Sequence, residues 1–288
     1  PKYLNPQEME KRESASMTVT FMSGLHFDAN DYGDFYCTKA ETKLQHIVNE
    51  TQGSRFYINL GDTVNSLPNA QLSNFYDAIS AMKALNLNVY NSAGTGYTEG
   101  NRMMYNLTGN HEAAYVAKSV LKDYIPYVEG VGSAAVFKQG DIMFVAVDAN
   151  FTRDGSDAPE DILPCKEFTI PDAQIDWLKA EVQKQMDSTI KGIVWISHIA
   201  LQDIDAESQG KLLGELKTYG LPMTGFEGHT HVEAYTELLD ETTGEVYCKV
   251  YTLPAVTITN GYPYYTVTFV NGEAWYIDKH TTQTISVN

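Results

Sequence analysis

Short apolar runs rich in Val, Ile, Phe and Tyr alternate with helically spaced segments through the first three quarters of the chain. That pattern predicts strand–helix–strand units around a sheet. MTVTFMS (17–23) reads as a strand, ETKLQHIVNE (41–50) as a helix with Leu44, Ile47 and Val48 on one face, RFYINL (55–60) as a strand, and NFYDAISAMKAL (74–85) as a helix. RMMYNLT (102–108) predicts another strand and EAAYVAKSVL (112–121) a helix for which Asn110 is a candidate cap. AAVFKQGDIMFVAVD (134–148) reads as a hairpin turning at Gln139-Gly140, and PDAQIDWLKAEVQKQ (171–185) as a helix with Pro171 near its first turn. GIVWIS (192–197) and LPMTGFE (221–227) are strands flanking a helical ESQGKLLGELKTYG (207–220). From Val232 onward the pattern is almost all strand, with turns at Thr243-Gly244 and Asn271-Gly272, which predicts an antiparallel finish. There is no internal repeat and no linker long enough to divide the chain. The expectation is one domain over residues 1–288, with 1–16 as an N-terminal extension.

Composition narrows the function classes. The 288 residues carry 37 acidic and 20 basic side chains, a formal charge of −17, which argues against a nonspecific grip on nucleic acid or anionic membranes and is compatible with cation binding. The apolar runs are far shorter than the roughly 20 residues of a membrane span. Cys37, Cys165 and Cys248 are scattered without a CxxC pair, so neither a disulfide framework nor a thiolate zinc site is expected. The sequence opens at Pro1 on a polar run, so a trimmed leader is an expectation; secreted and periplasmic locations stay open, as does the oligomeric state.

The chemistry collects at strand ends. Five predicted strands run into short polar turns: Gly24-Leu25-His26, Gly61-Asp62, Gly109-Asn110-His111-Glu112, His198, and Gly228-His229-Thr230-His231. In an open α/β sheet, side chains just past the carboxyl ends of strands converge on one crevice. Five of the seven histidines lie in these turns. Imidazole, carboxylate and amide oxygen together suit Zn, Mn or Fe. His229 and His231, two residues apart, would point the same way on extended backbone and address neighbouring ions, with Asp62 as a bridge between them. Taken singly, each turn has a plainer reading: Asp62 or Asn110 as a helix cap, His198 as a satisfied strand-end histidine.

In this order the motifs resemble the calcineurin-like metallophosphoesterases, which include purple acid phosphatases. The resemblance spans Ser23 to His231 and is most specific at Gly109-Asn110-His111-Glu112 and Gly228-His229-Thr230-His231. It implies a four-layer α/β/β/α sandwich with mixed sheets, an antiparallel C-terminal part, and two divalent or trivalent ions at one edge. It assigns Asp62 as the bridging ligand, Asn110, His198 and His229 to one ion, and His26 and His231 to the other. His111 would serve the phosphate and the leaving group, with Glu112 orienting its ring. The family's first motif is Asp-x-His, whereas this chain has Gly24-Leu25-His26, so one metal position is expected to be weakened; Asp28 is the nearest other carboxylate. The implied activity is hydrolysis of a small-molecule or nucleotide phosphate ester, monoester or diester. A noncatalytic, metal-stabilised binding protein on the same fold is the alternative. Arg102, Arg153 and the Tyr-rich NGYPYYTVTF (260–269) are weaker candidates for substrate contact; the favoured reading is solvated surface for the arginines and β-sheet surface for the tyrosines.

Overall fold

A computed structural model describes residues 16–27, 40–65, 71–90, 102–114, 116–152, 168–257 and 263–281. Asp28, Arg153, Cys37, Cys165 and the glycine-containing loop 94–100 lie outside the described residues.

Strands β1 (Ser16–Met22), β2 (Phe56–Asn59), β3 (Leu87–Val89) and β4 (Arg102–Asn106) alternate with helices α1 (Ala40–Glu50) and α2 (Gln71–Ala84). After a single turn of helix, α3 (Asn110–Ala113), come β5 (Ala135–Gln139), β6 (Ile142–Val147), α4 (Asp172–Gln185), β7 (Gly192–Ser197), α5 (Ala206–Lys217) and β8 (Met223–Glu227). Four strands finish the described chain: β9 (Ala234–Leu239), β10 (Val246–Thr252), β11 (Pro263–Val270) and β12 (Glu273–Thr281).

They build two six-stranded sheets, ordered β12-β11-β1-β2-β4-β3 and β5-β6-β7-β8-β10-β9. Within each, the central strands are parallel: β1 with β2, β2 with β4, β6 with β7, β7 with β8. Strands β6 and β7 are buried along their whole length, as expected where both faces of a parallel strand are covered. The antiparallel finish is present in β9–β10 and β11–β12, but it is split between the sheets. Strand β10 joins β8 in parallel, and β11 crosses over to pair antiparallel with β1.

Three apolar clusters define the layers. Phe21, Phe56 and Tyr105 from the first sheet meet Phe144, Ile196 and Phe226 from the second in the central cluster. The outer face of the first sheet packs Tyr57 and Met104 against Leu44, Ile47, Ile79 and Met82 of α1 and α2. The second sheet does the same with Val145 and Trp195 against Leu178 and Val182 of α4 and Leu212 and Leu216 of α5. The result is the expected α/β/β/α order. Each layer follows from its pattern: helices with one apolar stripe, sheets apolar on both faces.

Among the described residues the helix expected over 112–121 is not continuous: α3 stops at Ala113, and a 3₁₀ turn, Lys118–Val120, follows. Tertiary bonds compete there. Lys118 is drawn into a buried pair with Asp148, Nζ to Oδ2 2.8 Å, and also donates to the Asn150 carbonyl at 3.1 Å. Asp148 accepts from the Ser133 and Asn150 N–H groups as well, and Asn150 Nδ2 donates to the Thr108 carbonyl at 2.8 Å. This network stitches the end of β4 in one sheet to the end of β6 in the other.

Candidate metal centre

The parallel strands of both sheets end on one edge, and the ladder bonds continue one step past the strands. Leu60 N–H donates to the Met22 carbonyl, Leu107 to Asn59 and Gly228 to His198. The next residues turn sharply. Among the described non-glycine residues only six have positive φ, and four of them are His26 (45°), Asp62 (53°), His229 (67°) and His231 (56°). Left-handed backbone costs about 1–3 kcal/mol per residue and is held only where the surroundings over-determine it, commonly at functional sites. His229 and His231 are therefore not on extended backbone as expected. A tight turn, Thr230 N–H to the Gly228 carbonyl at 2.8 Å, lies between them, and the two rings still reach separate groups of donors.

In the first group, His198 Nε2 lies 2.9 Å from Asn110 Oδ1 and 3.2 Å from Asp62 Oδ1, and His229 Nδ1 lies 3.0 Å from the same Asn110 oxygen. His198 Nδ1 sits 2.9 Å from the Leu60 carbonyl, a bond that aims Nε2 at the cluster. Two donor atoms 2.0–2.2 Å from one ion are about 2.8–3.6 Å apart at octahedral to tetrahedral angles. These three spacings fall within that range. Burial, then the neighbouring His198, brings the pKa of His229 down to about 3, so the ring is neutral and offers a lone pair. Burial alone would raise Asp62, but His198 and His111 hold it well below the usual carboxylate range.

In the second group, His26 Nε2 and His231 Nε2 stand 3.3 Å apart. His26 Nε2 and His111 Nε2 each lie 3.9 Å from Asp62 Oδ2, and the donor atoms of His26, Asp62 and His111 all fall within 4.8 Å of one another. Burial and the neighbouring imidazoles lower the pKa of His26, against the pull of Asp62. The chain's residues thus fit a cation at the first group through four converging donors, and Asp62 faces both groups. His26, Asp62, Asn110 and His198 are buried, while His111, His229 and His231 are half-buried.

Two expected details differ. Glu112 was expected to orient His111; instead its two oxygens accept from the Val64 N–H at 2.9 Å and the Gly109 N–H at 2.7 Å, clamping the turns after β2 and β4 together. Burial and the charge of Asp62 push its pKa up to about 7. Gly24, expected to mark a lost carboxylate, is demanded by the backbone. Its φ is +62°, and a Cβ would sit 2.6 Å from Ala255 Cβ. Its carbonyl also accepts from Thr257 Oγ1 at 3.0 Å. Gly109 has the same kind of reason, since a Cβ there would overlap Asp62 Oδ1 at 2.1 Å. The Leu60 carbonyl and Ala255 were invisible in the motif pattern: one is backbone, the other an ordinary alanine far along the chain. Phe168, 5.5 Å edge-on from the His229 ring, carried no signal either.

No protein-family model and no curated protein matches the sequence. Among solved structures, the fold is similar to the NAD nucleotidase of Haemophilus influenzae, with 11% identity over 92% of this chain and 49% of that one, TM-score 0.45. It is similar to a 5'-nucleotidase precursor of Thermus thermophilus, with 13% identity over 92% of this chain and 54% of that one, TM-score 0.46. The phosphoesterase YfcE of E. coli is similar too, at 10% identity over 93% of this chain and 100% of that one, TM-score 0.39. The chain spans about half the length of the first two. At this level of similarity the functional reading rests on the residues of the site.

Proposed function

We propose that the chain is a metal-dependent hydrolase of phosphate esters, acting on a small-molecule or nucleotide substrate at the edge where the two sheets end. The observation that carries this reading is the convergence of ligand-type atoms: His198 Nε2 and His229 Nδ1 lie 2.9 and 3.0 Å from Asn110 Oδ1, and His198 Nε2 lies 3.2 Å from Asp62 Oδ1, spacings that suit one shared ion. A bound metal supplies Lewis-acid charge to phosphoryl oxygens and makes an attacking water more acidic. The protein's own part is placement. The Leu60 carbonyl orients His198, the Glu112 clamp holds the turns carrying Asp62 and Asn110 together, and Asp62 spans both donor groups. His26 and His231 extend the site beyond Asp62 to a second position. The half-buried rings of His111, His229 and His231 mark the side from which an ester enters.

The test is hydrolysis of a chromogenic phosphomonoester and a chromogenic phosphodiester by chelator-stripped protein resupplied with Mn, Zn or Fe. Activity that appears only with metal, and that falls by several orders of magnitude in Asp62→Asn, is the expected result. An inert protein that still binds metal at the Asn110, His198 and His229 group would instead be a metal-stabilised binding protein.

A further inference from the structure

Gly24 supplies no side chain to the second donor group, yet the structure does not leave that position with His26 and His231 alone. His26 Nε2 and His111 Nε2 both point at Asp62 Oδ2 and stand at the same 3.9 Å from it. The His26 and His111 rings meet edge to face, with centroids 4.8 Å apart, and the His26 and His231 rings do the same at 5.2 Å. His26 is thus flanked by two imidazoles, and it and His111 share one side of Asp62. The position of His111 is fixed by backbone as well, since its own N–H donates to Asp62 Oδ1 at 3.2 Å.

We propose that His111 is itself a metal ligand, taking the coordination place that the glycine at position 24 cannot fill, so that the second ion is held by His26, His111, His231 and Asp62. This rests on the metal-dependent reading above and changes the role of His111 within it from leaving-group assistance to ligation. The donor atoms of His26, Asp62 and His111, all within 4.8 Å of one another, need to contract by at most about 2 Å to reach the roughly 2.8–3.6 Å edges of a coordinated ion, and His231 Nε2 already stands 3.3 Å from His26 Nε2. Three imidazoles and one carboxylate are a donor set for Zn, Co or Fe rather than for Mg or Mn, which favour oxygen. The two positions then differ in kind. The first has two oxygens and two nitrogens, from Asp62, Asn110, His198 and His229, and the second has three nitrogens and one oxygen.

The experiment counts ions and imidazoles, independently of turnover. Chelator-stripped full chain is titrated with Co(II), the bound metal is measured after gel filtration, and the paramagnetically shifted ring N–H resonances are recorded. Two ions are expected, with five shifted ring N–H signals, one each for His26, His111, His198, His229 and His231. In His111→Ala, the second ion is expected to weaken by at least roughly 10–100-fold, the effect of disturbing even a supporting residue of a metal site. His111→Asp, which returns an oxygen donor, is expected to restore the count of two. A His111→Ala variant that keeps both ions at parental affinity, or four shifted signals in the parent, overturns the proposal. The signal count decides the matter even where the alanine variant does not fold. A parent that takes one ion overturns the proposal and leaves the first position standing; a parent that takes none overturns the metal-dependent reading as well.

Discussion

At the scale of the residue, Gly24 joins local strain to site chemistry. An aspartate there would combine left-handed backbone with a Cβ pressed against Ala255. Each of the two terms costs about 1–3 kcal/mol. Gly24→Asp is therefore expected to melt earlier than the parent, and to gain no activity from its added carboxylate; urea or thermal melts beside the ester assay check both halves. A variant as stable as the parent and more active would show that the segment around Ala255 yields and that glycine there is a deficiency. The motif pattern displayed the glycine but not its cause, because Ala255 lies 231 residues away in sequence and has no chemistry to announce it. The gathering of histidines and Asp62 at strand ends was legible, since these residue types stand out wherever strands end.

At the scale of the element, periodicity was informative where an element was long or had one clear face. Strands β1, β2, β6 and β7 and helices α1, α4 and α5 fall within a few residues of their expected spans. It failed where an element was short or where distant bonds decided. The three-residue β3 is too brief for any pattern, and α3 gives way to the Lys118 network. Strand pairing was out of reach for a different reason: nothing local in YYTVTFV (264–270) says that it parts from β10 to lie between β12 and β1. One element-scale contact invites a test. Glu112 ties the turn after β2 to the turn after β4 through two backbone N–H groups. Glu112→Gln places an amide NH₂ against one of those donors, leaving a buried N–H unsatisfied at about 1–3 kcal/mol. The expected outcome is a lower melting temperature and weaker binding of the first metal, measured by titration, while the parent's ligands are all still present.

At the scale of the whole molecule, the two sheets are joined at the site edge by the buried Lys118–Asp148 pair and its network of Ser133, Asn150 and Gln174. Removing the cation alone would strand a buried carboxylate, so Lys118→Met is expected to lose about 3–5 kcal/mol at neutral pH in a urea melt. Burial would raise the Asp148 pKa, but Lys118 and the N–H donors hold it below its ordinary value. A carboxylate depressed in the fold contributes stability that is present above its unfolded pKa of about 3.9 and is lost as pH falls through the folded value. The gap between parent and Lys118→Met should therefore be widest at neutral pH and narrow as the melts are repeated towards pH 3. A gap independent of pH would mean that Lys118 matters for its packing over Phe151, 3.5 Å from the ring centroid, rather than for its charge.

The pairing of β1 with β11 governs the order in which the molecule can be assembled. Thr18 and Thr268 bond across a separation of 250 residues, and the segment that backs Gly24 lies just before β11. Contacts so distant in sequence form late, because their loop must close before they return any energy. As the chain emerges from synthesis, β1, which leads into His26, therefore waits with one flank open until β11 has been made. Competence to bind the proposed second ion then depends on β11 and not on the segments before it alone, and β11 acts as the latch on β1.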